Sequence, residues 1–353
     1  MTTAAVPATQ DEVAVERPGM FSTVQDLGRF GWQHLGIVPG GAMDVPALRL
    51  ANALVGNTPG AAALEITLRG PVLCFDTDVL VALAGAAFTA RVTWRGQSAP
   101  LSLNRPVLLA AGSRLVIDQA SRGLRGYLAV AGGWHVEPVL GSRATYVPAG
   151  VGGLGGRSLK AGDRLPLAPA AAALATERFA RLAARREQLV VHGAFSSVRW
   201  WVPVASLPEG GICTIRCTDG RHRALFTTVA QANFESTVYR IAPDSNRMGY
   251  RMQGAALARK VLHDVLSEPT CLGSVQVPAD GAPIVLMADH QTTGGYAKIA
   301  EVAHADIARL AQLAPGAQVR FSRCTLEEAV AAGKAAGAAL AGIERSIAWQ
   351  YSA

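Results

Sequence analysis

The stretch EITLRGPVLCFDTDVLVALAG, residues 65–85, sets the fold class. Two short runs rich in β-branched residues and leucine are broken by Gly70-Pro71 and by Asp76-Thr77-Asp78, so each run ends before a helix could form. The texture continues outward through FTARVTW (88–94), RLVIDQA (114–120) and GYLAVAGG (126–133) to the glycine-rich GVGGLGGRSLKAGDRL (150–165). Short strands at this regular spacing predict a barrel or sandwich rather than a doubly wound parallel sheet. The exception is DVPALRLANALVG (44–56), where Leu48, Ala51, Asn52 and Val55 fall at helical spacing behind an Asp44 N-cap. Asn52 is thereby expected on or beside the inner face of that helix.

A second β-rich block holds QLVVHG, CTIRC, STVYRIA, GYRMQG, SVQVP, PIVLMA, AKIAEV and QVRF, between residues 188 and 321. Two halves of similar texture predict two tandem β-barrels. The expected boundaries are a flexible tail over 1–17, a first barrel over 18–167, a connecting helix over 168–188, a second barrel over 189–324 and a terminal helix over 325–353. That last helix opens on the capping box Thr325-x-x-Glu328 and is expected to pack on the second barrel.

Composition narrows the function. The net charge of +7 is carried by scattered arginines, dense only in ARREQ (184–188) and GRHR (220–223), which argues against a nucleic-acid surface. The apolar runs VLVALAGAAF (79–88) and VLLAA (107–111) are too short to cross a bilayer, and the acidic N-terminal stretch lacks a signal-peptide core. A cytoplasmic protein is expected. Five cysteines without a C-x-x-C pair predict reduced thiols and no zinc site.

Polar chemistry concentrates in ADHQTTGGYAKIAEV (288–302), where the apolar run PIVLMA gives way to Asp289, His290, Gln291, Thr292, Thr293, Gly294, Gly295, Tyr296 and Lys298. This reads as a loop held on a strand end, the usual support for binding and catalytic groups. Three smaller constellations accompany it: Gln25, Asp26 and Arg29 among glycines in STVQDLGRFGWQHLGI (22–37); Asp44, Asn52 and Glu65; and Asn246, Arg247 and Arg251 in DSNRMGYRM (244–252). The string GGLGGR (152–157) lacks the G-x-x-x-x-G-K-[ST] spacing of a phosphate loop.

The ordered set STVQDLGRFG, GAMD, ANALVGN, ALEITLRGP, YLAVAGG, GSRATY, GGLGGRSLKAGD, SNRMGYRMQG, GSVQVPADGAPIVLMADHQTTGGYAKIAEV and LAQLAPGAQVRF resembles the allophanate-hydrolase subunit 2 family from about Pro18 to Phe321. That family embraces the C-type subunit of ATP-dependent 5-oxoprolinases, KipA-like regulators and part of the carboxyltransferase domain of biotin-dependent urea carboxylases. The resemblance implies two cyclophilin-like barrels and a partner of the B type, similar to KipI. It also implies an A-type partner, similar to LamB/YcsF proteins, for activity on a small amide or lactam. ATP is implied in the complex, at no site assigned to this chain. Biotin would arrive only on a partner, since no Met-Lys acceptor motif is present.

Carried over onto this sequence, the resemblance implies Asp289, Gln291 and Lys298 as catalytic groups. It implies Gln25, Asp26, Arg29, Asn52, Glu65, Arg247, Gln276, Thr292, Thr293, Gly294, Gly295 and Tyr296 as substrate-binding groups across a cleft between the barrels. No metal ligand is expected. Departures stand at GRHRALF (220–226), where Arg221, His222 and Ala224 replace the family's Pro, Gln and Asp, at Asn246 in place of Asp, at Gly40 in place of a frequent Ser, and at Ala297 in place of a frequent Pro. They predict a more positive end of the cleft in the second barrel. Lactam opening, carboxyl transfer to urea or a related amide, and KipA-like regulation without catalysis are the three functions open to such a chain.

Overall fold

In the computed structural model, which describes residues 11–184, 189–203, 211–261 and 265–352, the run VLVALAG opens the 16-residue strand Val79–Trp94. Its partner is the 18-residue strand Ser113–Val130, and the antiparallel pair forms the spine of an eleven-stranded sheet. The run is apolar throughout because both faces are covered. Val79, Val81 and Leu83 enter the core inside the sheet, while Leu80, Ala82 and Ala84 lie under helices α1 (Val45–Leu54) and α2 (Ala171–Ala183). The register shifts after Gly85, whose φ is +103° and where a Cβ would come within 2.5 Å of the Arg125 carbonyl oxygen. A side chain there would be strained twice over.

Helix α1 forms as its sequence implies: the Asp44 carboxylate accepts from the Ala47 amide and Pro46 occupies the first turn. The second unit is a closed seven-stranded barrel. Its strands run Ile212–Asp219, Ala297–Val302, Ser274–Val277, Ile284–Leu286, Gly249–Gln253, Tyr239–Ile241 and Gln318–Arg323 around the wall, and parallel pairing of the first with the last closes it. Ile215, Tyr239, Val275, Val285, Ile299 and Phe321 fill it, with Phe234 from α3 (Thr228–Ser236) stacked on Phe321 at 4.6 Å. A short helix, α4 (His304–Ala311), is tied to the wall by Asp306, which accepts three bonds from Arg216.

The structure moves several expected boundaries. Residues 12–17, expected in a loose tail, form a strand between Val72–Phe75 and Arg164–Pro166, because Val13 and Val15 alternate into the core. Residues 1–10 of that tail lie outside the described residues. The hairpin Leu189–Val191/Ser196–Val198, expected to open the second barrel, instead extends the first sheet through Ser196–Ser197 and Val107–Leu108. The connecting helix is α2; residues 185–188 of the range expected for it lie outside the described residues.

The terminal helix α5 (Leu326–Tyr351) starts at the predicted Thr325–Glu328 capping box. It does not pack solely on the second barrel. It also returns to the first unit, where Ile347 joins the core under α1 and α2, Glu344 meets Arg49, and the Tyr351 hydroxyl donates to the Leu54 carbonyl. No helix among the described residues is long and apolar enough to cross a membrane. All five cysteines are unpaired.

Candidate functional site

The polar loop begins where the strand Ile284–Leu286 ends. Asp289 is not an exposed loop carboxylate: it is buried, its amide donates to the Arg247 carbonyl, and both oxygens accept from Arg247 at 2.9 and 3.0 Å. The same guanidinium crosses to the first unit, donating to Glu65 and, at 2.6 Å, to the Gly41 carbonyl. Glu65 also accepts from the Met43 amide and the Tyr127 hydroxyl, with Arg125 3.9 Å away. Burial alone would raise the Glu65 pKa, but Arg247 and Arg125 draw it below the ordinary carboxylate value. Burial and the neighbouring Glu65 and Asp44 push the Tyr127 hydroxyl well up, so it stays a donor.

Beside this bridge runs a second one. The Gln312 side chain accepts from the Leu124 and Arg125 amides and donates to Asp44 and to the Arg125 carbonyl. Arg125 reaches the Tyr250 hydroxyl at 2.5 Å and the Ala311 carbonyl. The two units therefore meet across a buried polar seam, and Asp289 stands on it.

Arg29 approaches from the first unit. Its Nε donates to the Val139 carbonyl at 3.3 Å and its Nη2 to the Ala144 carbonyl at 2.5 Å, while Nη1 is buried and without a partner. A side chain on Gly40 would begin 3.8 Å from that Nη1 and 3.5 Å from Asp289 Oδ1. Gly40 thus separates a free donor from a held acceptor. Burial and Asp289 raise the pKa of the half-buried Tyr146, which places the phenol within the field of that carboxylate.

The remaining expected residues divide. Asp26 accepts from the Gly28 and Arg143 amides and the Ser142 hydroxyl, and Gln25 donates to Thr23 and the Thr145 carbonyl. Both shape the turn that presents Arg29. Asn52 is no ligand-facing group: buried on α1, it donates to the Ala61 carbonyl and accepts from Asn57. Lys298 Nζ is engaged by Glu268 at 2.8 Å and by the Pro269 carbonyl at 2.6 Å, which leaves one of its three donors.

Gln291 donates to Gln276 at 3.3 Å, while Gln276 Nε2 is buried and unpartnered beside Gly294. Thr293 and Gly294 pair with Glu268–Pro269, the Thr292 carbonyl accepts from the Thr270 amide, and Gly295 and the exposed Tyr296 complete the turn. The segment 220–226 does adjoin the loop, since the Lys298 amide donates to His222 Nδ1. The expected surplus of positive charge there is opposed by Glu268, 3.4 Å from Arg221 and 3.8 Å from His222. Lys298 hydrogen bonding depresses the Glu268 pKa, while burial lowers that of His222 and works against its protonation.

Glu268, Tyr127, Arg125, Gln312 and Tyr146 escape sequence reasoning: each stands alone in its segment and acquires its role only from a partner far along the chain. A cavity of about 550 Å³ between α1, α2 and α5 lies apart from the loop. Its charged groups are already engaged, Arg49 with Glu344, Arg181 with Glu177, and Arg178 with the Val55 carbonyl and Asn57. Among the described residues, no cluster of three potential metal ligands is found.

Comparison with known proteins follows the same lines. The carboxyltransferase domain, subdomain A and B, matches residues 35–323. The chain is 41% identical over 320 residues to the C-type subunit of 5-oxoprolinase from Escherichia coli (strain K12), covering 90% of this chain and 92% of that protein. It is 30% identical over 322 residues to urea amidolyase of Lachancea kluyveri, covering 87% of this chain and 16% of that protein. The crystal structure of Kluyveromyces lactis urea carboxylase shares the fold with a TM-score of 0.83 at 28% identity, over 96% of this chain and 30% of that one.

Proposed function

The chain belongs to the family of carboxyltransferase domains, subdomains A and B, and from that premise we propose that it is the C-type subunit of an ATP-dependent 5-oxoprolinase. The carrying observation is the seam itself. Asp289 from the second unit and Arg29 from the first flank Gly40, one offering an acceptor and the other a donor to the same small space. A cyclic amide such as 5-oxoproline presents an N–H beside oxygen acceptors and needs groups of both kinds to be held.

Both Asp289 oxygens already accept from Arg247, so its fitting role is to orient a substrate N–H rather than to take a proton. Gln276 Nε2, buried and unpaired beside Gly294, is a further free donor in the loop. ATP supplies activation of the lactam carbonyl. Gly152, Gly153 and Gly156 of the glycine string pack on residues 144–145, Arg29 and Gly150, and ATP is proposed for the complex, at no site assigned to this chain. Partners of the B and A types, inactivity of the chain alone and a cytoplasmic location belong to the same proposal.

Coexpression with the B-type and A-type partners tests it. ATP hydrolysis dependent on 5-oxoproline, and its fall by roughly a hundredfold or more in Asp289→Asn, is the expected result. The likeness to urea carboxylase supports a second reading, carboxyl transfer from carboxybiotin to urea or a related amide. Turnover with urea and a biotin carboxylase, and none with a lactam, would establish that reading in place of the first.

A further inference from the structure

We propose that Arg29 is the receptor for a carboxylate on the ligand, so that the site selects amides bearing an acidic group one carbon from the N–H. This deepens the reading above and rests on it for the amide.

Arg29 is 1% exposed, and its side-chain hydrogen bonds go to the neutral carbonyls of Val139 and Ala144. Its nearest acid along the chain, Asp26, is spent on Gly28, Ser142 and Arg143, and the guanidinium enters no ion pair within 4.0 Å among the described residues. The other buried arginines are compensated: Arg247 faces Asp289 and Glu65, and Arg125 lies 3.9 Å from Glu65. Asp26 and Asp289 act on Arg29 only at longer range, and burial still outweighs their charges and lowers its pKa; a buried cation without an anion in contact is costly unless one joins it.

The surroundings fix where that anion enters. A Cβ on Gly152 would come within 2.6 Å of Arg29 Nη2, so the Gly152 backbone crowds the back of the guanidinium. Nη1 points instead to the space before Gly40, whose φ of +63° and missing side chain leave room between it and Asp289 Oδ1. Asp289 repels a second anionic oxygen and accepts an N–H. The group that satisfies both walls carries a carboxylate oxygen toward Arg29 and an amide N–H toward Asp289 on neighbouring atoms, the arrangement of an N-acylated α-amino acid, cyclic in 5-oxoproline.

The test is calorimetric titration of the purified chain with 5-oxoproline, with N-acetylglycine and with the neutral lactam 2-pyrrolidinone. The expected result is binding of both carboxylates in preference to 2-pyrrolidinone, and a loss of about tenfold or more for the carboxylates alone in Arg29→Gln, as removal of a charge-assisted hydrogen bond implies. Gly40→Asn, which keeps Arg29 and tolerates the left-handed backbone, is expected to block both carboxylates by filling the space. Unliganded Arg29→Gln is expected to lose some stability, since the Val139 and Ala144 carbonyls lose their donor; a purely structural arginine would weaken all three ligands alike, whereas the receptor role predicts that 2-pyrrolidinone is unaffected. Carboxylate binding that depends on Arg29, combined with no lactam turnover in the assembled complex, would sustain the receptor and remove the 5-oxoprolinase reading. Equal carboxylate affinity in wild type and Arg29→Gln, or no carboxylate binding by wild type up to roughly 10 mM ligand, the weak end of small-ligand affinity, would overturn the proposal.

Discussion

Arg247 holds two carboxylates from two units with one guanidinium, and its removal strands both. Arg247→Met should therefore destabilise the chain by about 3 to 5 kcal/mol in urea denaturation. Adding Asp289→Asn to that variant should restore part of the loss, because Asp289 then no longer stays buried as a charge while Glu65 keeps Arg125 at 3.9 Å. Acid should expose the same arrangement. The Glu65 pKa is lower folded than unfolded, as is that of Asp306, where Arg216 outweighs the raising effect of burial. Their contribution is fully present above the unfolded carboxylate values near pH 4 and is lost as pH falls through the folded ones. Asp44, raised by burial, works in the opposite sense. Stability measured from pH 6 down to pH 3 should fall, and Glu65→Gln should flatten that fall; an unchanged slope would take Glu65 out of the linkage.

Among the elements, α5 carries the clearest energetic test. Ile347→Ala should cost about 2 to 4 kcal/mol, as expected for a large-to-small change in a packed core. The Arg49–Glu344 pair, still partly exposed at 31% and 20%, should show a coupling below about 1 kcal/mol in a double-mutant cycle. This helix also shows where sequence stops being informative. Its start was legible because Thr325 and Glu328 are local, as α1 was legible from Asp44 and its apolar spacing. The surface it covers was not, because an Ala-rich helix offers small side chains all round and names no partner. The strand Glu12–Arg17 was readable in principle from Val13 and Val15, but its flanking acids mimic a solvated tail. The hairpin at 189–198 has ordinary strand texture, and only its register with Val107 decides which unit owns it. In the site, the loop 289–298 was legible from the strand before it, whereas the burial of Asp289 and the capture of Lys298 by Glu268 depend on distant residues.

At the scale of the molecule, Gln312 joins α1, the long strand Ser113–Val130 and the end of α4 through four hydrogen bonds. Gln312→Ala leaves two amides, a carbonyl and a carboxylate short of a partner in a dry seam, at about 1 to 3 kcal/mol for each group that water cannot reach. Urea unfolding followed by fluorescence and by circular dichroism should then separate into two transitions where wild type shows one. Coincident curves in the variant would mean that apolar contacts alone couple the units.

The return of α5 to α1 has a consequence for the order of events at the ribosome. The helix that covers the first unit is encoded after the whole of the second barrel, so the earlier half of the nascent chain waits with an apolar face open while the later half is made. Domains ordinarily fold in turn as they emerge, but here a segment translated after the second barrel closes the first unit. Termination within the second barrel should therefore leave the apolar face of the first unit uncovered and the fragment prone to association.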